Sequence, residues 1–242
     1  MRIRLAPLLL LFAVFGMAPL SHAQTPASTS HIVYTFSHPQ LQPARYTITI
    51  DESGSGQFVS QPGVSQPSSA PSDQSDDMAE NAGDVSPAPL DRPIHLDRTL
   101  SEELFRYARD HSFFNTDCST RRNNLAFTGN KTFSYTGPDG HGSCSFVWAA
   151  DSQLQRLSNQ LEAVAFTLEI GRRLNVEVQH DPLGLDAELA SLQDAVNDRR
   201  ASDLRNIAPE LQTIAEDQQV MERARKRALA LLSYSENPQK RN

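Results

Sequence analysis

Leu154, Leu157, Leu161, Val164 and Leu168 recur at three- and four-residue spacing, which puts them on one stripe of a helix. Asp151 stands where an N-cap belongs, and Gly171 where a C-cap is expected. An apolar stripe of this length has to be covered, and the segments before it are strand-like. The chain is therefore expected to be α+β, with an antiparallel sheet packed on a long helix and a C-terminal α-helical extension. The heptads stop too soon for a coiled coil to be the better reading of the stripe.

The strand signals begin at His31-Ile32-Val33-Tyr34-Thr35-Phe36 and continue at Tyr46-Thr47-Ile48-Thr49-Ile50, both rich in β-branched and aromatic residues. The run Asp51-Glu52-Ser53-Gly54-Ser55-Gly56 supplies turn chemistry before Gln57-Phe58-Val59-Ser60, so Tyr46 to Ser60 reads as a hairpin. A calcium loop would need more oxygen ligands at fixed spacing. Strands are expected over 24–60. From 61 to 91 the composition turns to Pro, Ser and Asp, which bury too little apolar surface to offset chain ordering; a disordered acidic insertion is expected there. It serves as a long loop within one sheet or as a boundary between domains.

Residues 92–180 are expected to complete the α+β unit. Thr99-Leu100-Ser101-Glu102 reads as a capping box opening a helix through Leu104, Tyr107 and Ala108, with Phe105, Phe113 and Phe114 as core material. Leu125-Ala126-Phe127-Thr128, Gly129-Asn130 and Lys131 to Thr136 predict a hairpin with a two-residue turn. Gly137-Pro138-Asp139-Gly140 turns the chain into Ser143 to Trp148, giving a three-strand meander. Leu174-Asn175-Val176-Glu177-Val178 alternates like a short strand, broken by Asp181-Pro182-Leu183-Gly184.

Helical periodicity governs 181–236. One face is Leu185, Leu189, Leu192 and Val196, a second is Leu204, Ile207, Leu211 and Ile214, and a third is Val220, Ala224, Ala228, Leu231 and Leu232. Pro209 is expected to start or kink a helix, and 237–242 to be a disordered tail.

At the other end, Arg2 and Arg4 precede an apolar run from Leu5 to Leu20, and Ser21-His22-Ala23 offers a small-x-small cleavage site. Residues 1–23 thus read as a signal peptide, the run being shorter than the roughly 20 residues of a membrane span. An exported chain is periplasmic or extracellular, where Cys118 and Cys144 are expected to pair as a disulfide; free thiols are the alternative. The formal charge of −7 argues against nucleic-acid binding, and no transmembrane span is expected in the mature chain.

No catalytic, metal or cofactor-binding constellation stands out. Asp139, His141 and Ser143 lie together in a turn without a nucleophile-elbow sequence, and His180-Asp181 lacks the further ligands of a metal site. No glycine-rich phosphate loop follows a strand, so no cofactor is expected. Glu222-Arg223-Ala224-Arg225-Lys226-Arg227 makes the last helix locally basic, and Arg223, Arg225, Lys226 and Arg227 could dock an acidic partner or form a solvated face.

The run Leu204 to Leu211 followed by Asp217, Val220, Ala224 and Ala228-Leu229 resembles one helix pair of the HEAT type. The order of signal, Tyr-Thr-Ile-Thr-Ile strand, acidic linker, Thr-Gly-Asn-Lys-Thr hairpin, paired cysteines and leucine-rich helix resembles uncharacterised exported bacterial proteins of acidobacterial type. That resemblance implies a compartment and no activity. The expected role is a non-enzymatic, envelope-associated binding or assembly module, with an envelope protein partner or self-association through the C-terminal helices. A hydrolase assembled from distant residues such as His111, His141 and His180 is the alternative.

Overall fold

The computed structural model describes residues 29–61, 89–122 and 124–236. The expected signal peptide, the tail and nearly all of the acidic insertion lie outside them. Alternating apolar residues build six strands: β1 (His31–Ser37), β2 (Arg45–Asp51), β3 (Ser55–Gln61), β4 (Leu90–His95), β5 (Asn130–Gly137) and β6 (Gly140–Phe146). All neighbours are antiparallel, in the order β4-β3-β2-β1-β5-β6. Ile32, Tyr34, Ile48, Ile50, Phe58, Ile94, Phe133 and Tyr135 point to one buried face, as a period of two requires.

Among the described residues five α-helices complete the α+β fold: α1 (Arg98–Asp110), α2 (Ser152–His180), α3 (Leu185–Asn197), α4 (Ala208–Glu216) and α5 (Glu222–Glu236), with 3₁₀ turns at Ser112–Phe114 and Leu204–Ile207. Asp151 caps α2, its Oδ1 accepting the Leu154 amide at 2.9 Å. The predicted stripe is buried throughout. Ser158 and Glu162 face the sheet, where they meet Tyr34; Thr167 and Gly171 face the C-terminal layer, where they meet the Ser202 amide and Ile207. Pro209 lies in the first turn of α4. Every buried apolar side chain of sheet and helices but Ala163 belongs to one contiguous cluster.

Four expectations are corrected. Helix α2 does not end at Gly171 but runs to His180, so 174–178 is helix and not strand. Gly171 is a packing residue: a Cβ there would run into the Ile207 side chain, and Leu174 and Val178 follow the helical face one turn apart. Leu125 to Thr128 is not a strand, and Gly129-Asn130 is not a hairpin turn. The neighbour of β5 on that side is β1, with Tyr34 opposite Phe133, while side chains hold 125–128 as a loop through Trp148 Nε1 to Ala126 O at 2.7 Å and Thr128 Oγ1 to Val147 O. The cap of α1 is Asp97, which accepts the Thr99 amide at 2.8 Å; Glu102 pairs with Arg98 instead of closing a capping box. The expected bounds of the insertion are too wide, because Gln61 pairs in β3 and Leu90 and Asp91 pair in β4.

Candidate functional site

The sheet places two cations in its inward phase: Arg92 of β4, opposite Phe58 and paired with Glu210 of α4, and the more deeply buried Lys131 of β5. Lys131 shares a face with Phe133 and Tyr135, its side chain 3% exposed, and its Nζ lies 3.0 Å from Glu162 Oε1 and over the Trp148 ring. Glu162 also accepts from Ser158 Oγ at 3.0 Å, and the Tyr34 hydroxyl meets Ser158 Oγ at 2.9 Å. Burial, reinforced by the Glu162 charge, holds the Tyr34 phenol well above its ordinary range, so it stays a neutral donor. The network pins α2 on the sheet. Its sequence signal was a lysine in the inward phase of an otherwise apolar strand.

Next to this network, the β1–β2 loop and α2 enclose a cleft of about 480 Å³. Phe36, Tyr46 and Phe166 give it apolar walls, and Arg173, Arg199 and Arg200 stand along it. Arg173 is paired with Glu188 and Arg200 with Asp198. Arg199, held at φ 61°, has no ion pair among the described residues. Leu41 forms part of the rim at 48% exposure, and its amide donates to the His38 carbonyl. Outside the cleft, the His38 ring packs 5.1 Å from Phe127, itself 50% exposed.

A second cavity, of about 420 Å³, opens where the start of α1, the middle of α2, the 201–205 connection and the end of α5 converge. Asp203 sits in it in the left-handed region (φ 52°) with its side chain 8% exposed. Its Oδ2 accepts the Asp97 amide at 3.1 Å. Burial raises its carboxyl above the usual range, opposed in part by that hydrogen bond and by Arg205. Asn206 fastens the connection to the end of β4, accepting from the His95 amide and donating to the His95 carbonyl.

The residues singled out from sequence are dispersed. Cys118 and Cys144 are bonded, at an S–S distance of 2.05 Å. Asp139 is taken up by Tyr135, which donates to it, and by Arg109 Nε at 2.8 Å; both hold its carboxyl below the ordinary range. Arg109 also pairs with Glu52, so it joins the β2–β3 turn to the β5–β6 turn. Ser143 donates to Phe133 O, His141 lies exposed opposite Thr136, and no hydrogen bond links Asp139, His141 and Ser143 among the described residues. His111 stacks on Tyr107, and His180 is exposed at the end of α2. The three histidines do not converge on either cavity.

In the basic run, Arg223 and Arg227 both grip Asp186 of α3, Arg227 at 2.9 Å, and Lys226 pairs with Glu222. These arginines hold the Asp186 carboxyl below its usual range. The Arg225 Nε is buried without a partner among the described residues. Neither the placement of Arg199 nor that of Leu41 was legible in sequence, because the loops that carry them meet across α2 only in the tertiary structure. Among the described residues no helix is long and apolar enough to cross a membrane. No protein-family model matches the chain, and comparison with curated proteins gives no match.

Proposed function

We infer that the protein is an exported bacterial protein that works in the cell envelope as a non-enzymatic binding or assembly module, with the β1–β2 cleft as its partner surface. The observation that carries this reading is the apolar cleft with exposed Leu41 on its rim beside Arg199, which has no ion pair among the described residues. An apolar pocket bordered by a guanidinium with no ion pair among the described residues suits a protein segment that offers a buried side chain and a nearby carboxylate. Export is supported by the charged and apolar leader pattern together with the disulfide.

Two measurements on one expressed chain test the reading. Fractionation and N-terminal sequencing should find the protein outside the cytoplasm, beginning near Gln24; retention in the cytoplasm with both cysteines reduced would overturn export. Capture from envelope extract should yield a partner that is lost with Leu41→Asp or Arg199→Glu and kept with Lys226→Glu. If the cleft variants capture it undiminished and Lys226→Glu does not, docking moves to the last helix and the cleft assignment fails.

A further inference from the structure

The most exposed large apolar side chain among the described residues is Leu183, at 74%. It stands on the turn between α2 and α3, in the run Asp181-Pro182-Leu183-Gly184. Hydrogen bonds close that turn: the Asp181 amide donates to the Glu177 carbonyl at 2.8 Å, and the Gly184 amide donates to the Asp181 carbonyl at 3.1 Å and to Asp181 Oδ1 at 3.3 Å. Pro182 fixes a further backbone angle. A leucine held out to water on a closed turn gains nothing within its own chain, and little ordering entropy opposes its burial in a partner's pocket.

The turn is also acidic. Asp181 makes no ion pair among the described residues, and burial, then the charge of Glu188 and to a lesser degree that of Asp181, raises the Glu177 carboxyl above its usual range against the pull of Arg173. The β1–β2 cleft offers the complement, with apolar walls from Phe36, Tyr46 and Phe166 and with Arg199 and Arg200 along it. Leu183, with the Asp181 carboxylate two residues away, is the kind of segment this cleft suits. It does not reach the cleft of its own chain. His180, at the end of α2, lies about 21 Å beyond Phe166 at 1.5 Å per residue, and Leu183 follows after it.

Two α2 helices laid antiparallel about a two-fold axis level with residues 174 and 175 bring both turns to both clefts at once. In that register Leu183 stands level with the partner's Phe166, and Asp181 with the partner's Leu168. Arg199 and Arg200 belong to the same level, since the Ser202 amide beside them donates to Thr167 Oγ1 at 3.0 Å. Near the axis, Val176, 46% exposed, comes opposite the aliphatic stem of the partner's Arg173. We propose that the protein forms a two-fold dimer in which the 181–184 turn of each copy inserts Leu183 into the β1–β2 cleft of the other and sets Asp181 beside Arg199. This rests on the reading of that cleft as the partner surface, and it names the partner as a second copy of the chain.

The test is sedimentation equilibrium of the disulfide-bonded protein between about 1 μM and about 500 μM. A monomer–dimer equilibrium is expected, weakened about tenfold or more by Leu183→Asp and by Arg199→Glu, and kept by Leu183→Met. Leu183→Asp should melt with the parent, since so exposed a side chain adds little to the fold. Should Arg199→Glu melt lower, Arg199→Asn, which suits the left-handed backbone, takes its place. Mixing Leu183→Asp with the Arg199 variant should restore part of the association, because one intact turn then meets one intact cleft; a merely structural effect of either change gives no such rescue. The proposal is overturned if the protein stays monomeric throughout, if folded Leu183→Asp dimerises undiminished, or if the mixture associates no better than its components. Failure of the cleft reading looks different. A dimer lost with Leu183→Asp but kept with both Leu41→Asp and Arg199→Glu overturns the cleft and the proposal together. A monomeric parent whose cleft captures another envelope protein, abolished by Leu41→Asp and kept by Leu183→Asp, overturns the dimer alone.

Discussion

The sheet with α2, and the C-terminal layer of α3 and α5, both bury a charge, but with opposite sign and reach. Under α2 the buried group is a cation, Lys131, whose carboxylate partner Glu162 comes from the helix above and lies nearer the solvent. In the C-terminal layer it is an anion, Asp186, gripped by Arg223 and Arg227, whose long side chains extend to the surface. A strand position offers a lysine no local partner, so its neutralisation depends on another element arriving in register. A helix pair can supply two arginines one turn apart, and the loss of one leaves the other. The sheet side should therefore respond to single changes sharply, and the helical side gradually.

The largest expected effect breaks the sheet side covalently. Replacing both Cys118 and Cys144 by Ser opens a loop with a sequence separation of 26 and should cost about 3–4 kcal/mol in denaturant unfolding. Equal midpoints for the parent and the double variant would show that the strands hold Cys118 without the bond. Next, Glu162→Leu leaves Lys131 buried and uncompensated, at a cost of about 3 kcal/mol. Lys131→Met should cost less than about 1 kcal/mol, because Glu162 can turn to water. Equal losses would dissolve the asymmetry between the two partners.

Where α2 meets the C-terminal layer, Gly171→Ala gains helix propensity but drives a methyl group into Ile207, for a net loss of about 1–2 kcal/mol. A gain in melting temperature would mean that the layer can slide outward. The smallest effects concern two aspartates of the C-terminal half and differ in sign. Asp186 has a depressed carboxyl pKa, so its stabilisation is present above the unfolded value, about pH 4, and is lost as pH falls through the folded value. Asp186→Asn should thus melt lower at pH 7 and converge with the parent in acid. Asp203 has a raised pKa, so its charged form carries a cost at neutral pH that fades as pH falls below the folded value toward the unfolded one. Asp203→Asn, whose side chain also suits the left-handed backbone, should melt no lower at pH 7. Melting curves between pH 3 and about 7 that move both variants in the same direction would contradict the pair.

Period-two alternation marked β1 to β3 and β5 because each has one wet and one dry face, and the three-four spacing marked the α2 stripe for the same reason. Legibility failed where a residue answers to a distant neighbour. Gly171 looks like a helix end until Ile207 is laid across it. Leu125 to Thr128 has strand composition, but β1 fits beside β5 over seven residue pairs and leaves the segment no edge to join. Thr99 and Glu102 match a capping box, yet Asp97 reaches the Thr99 amide first. The second cavity was invisible, since Gln160 of α2, Ser202 of the 201–205 connection and Tyr234 of α5 lie far apart in sequence.

The sequence by itself determined the alternating strands, the amphipathic helices, the turn chemistry and the candidate cysteine pair, because each follows from local periodicity or from composition. Only the tertiary structure decided the strand order, the continuation of α2 beyond Gly171, and which polar groups end up buried with or without partners. Those outcomes depend on competition among surfaces that meet only after the chain has folded, where a single side chain such as Ile207 or Glu162 outweighs a local preference worth a fraction of a kilocalorie per mole.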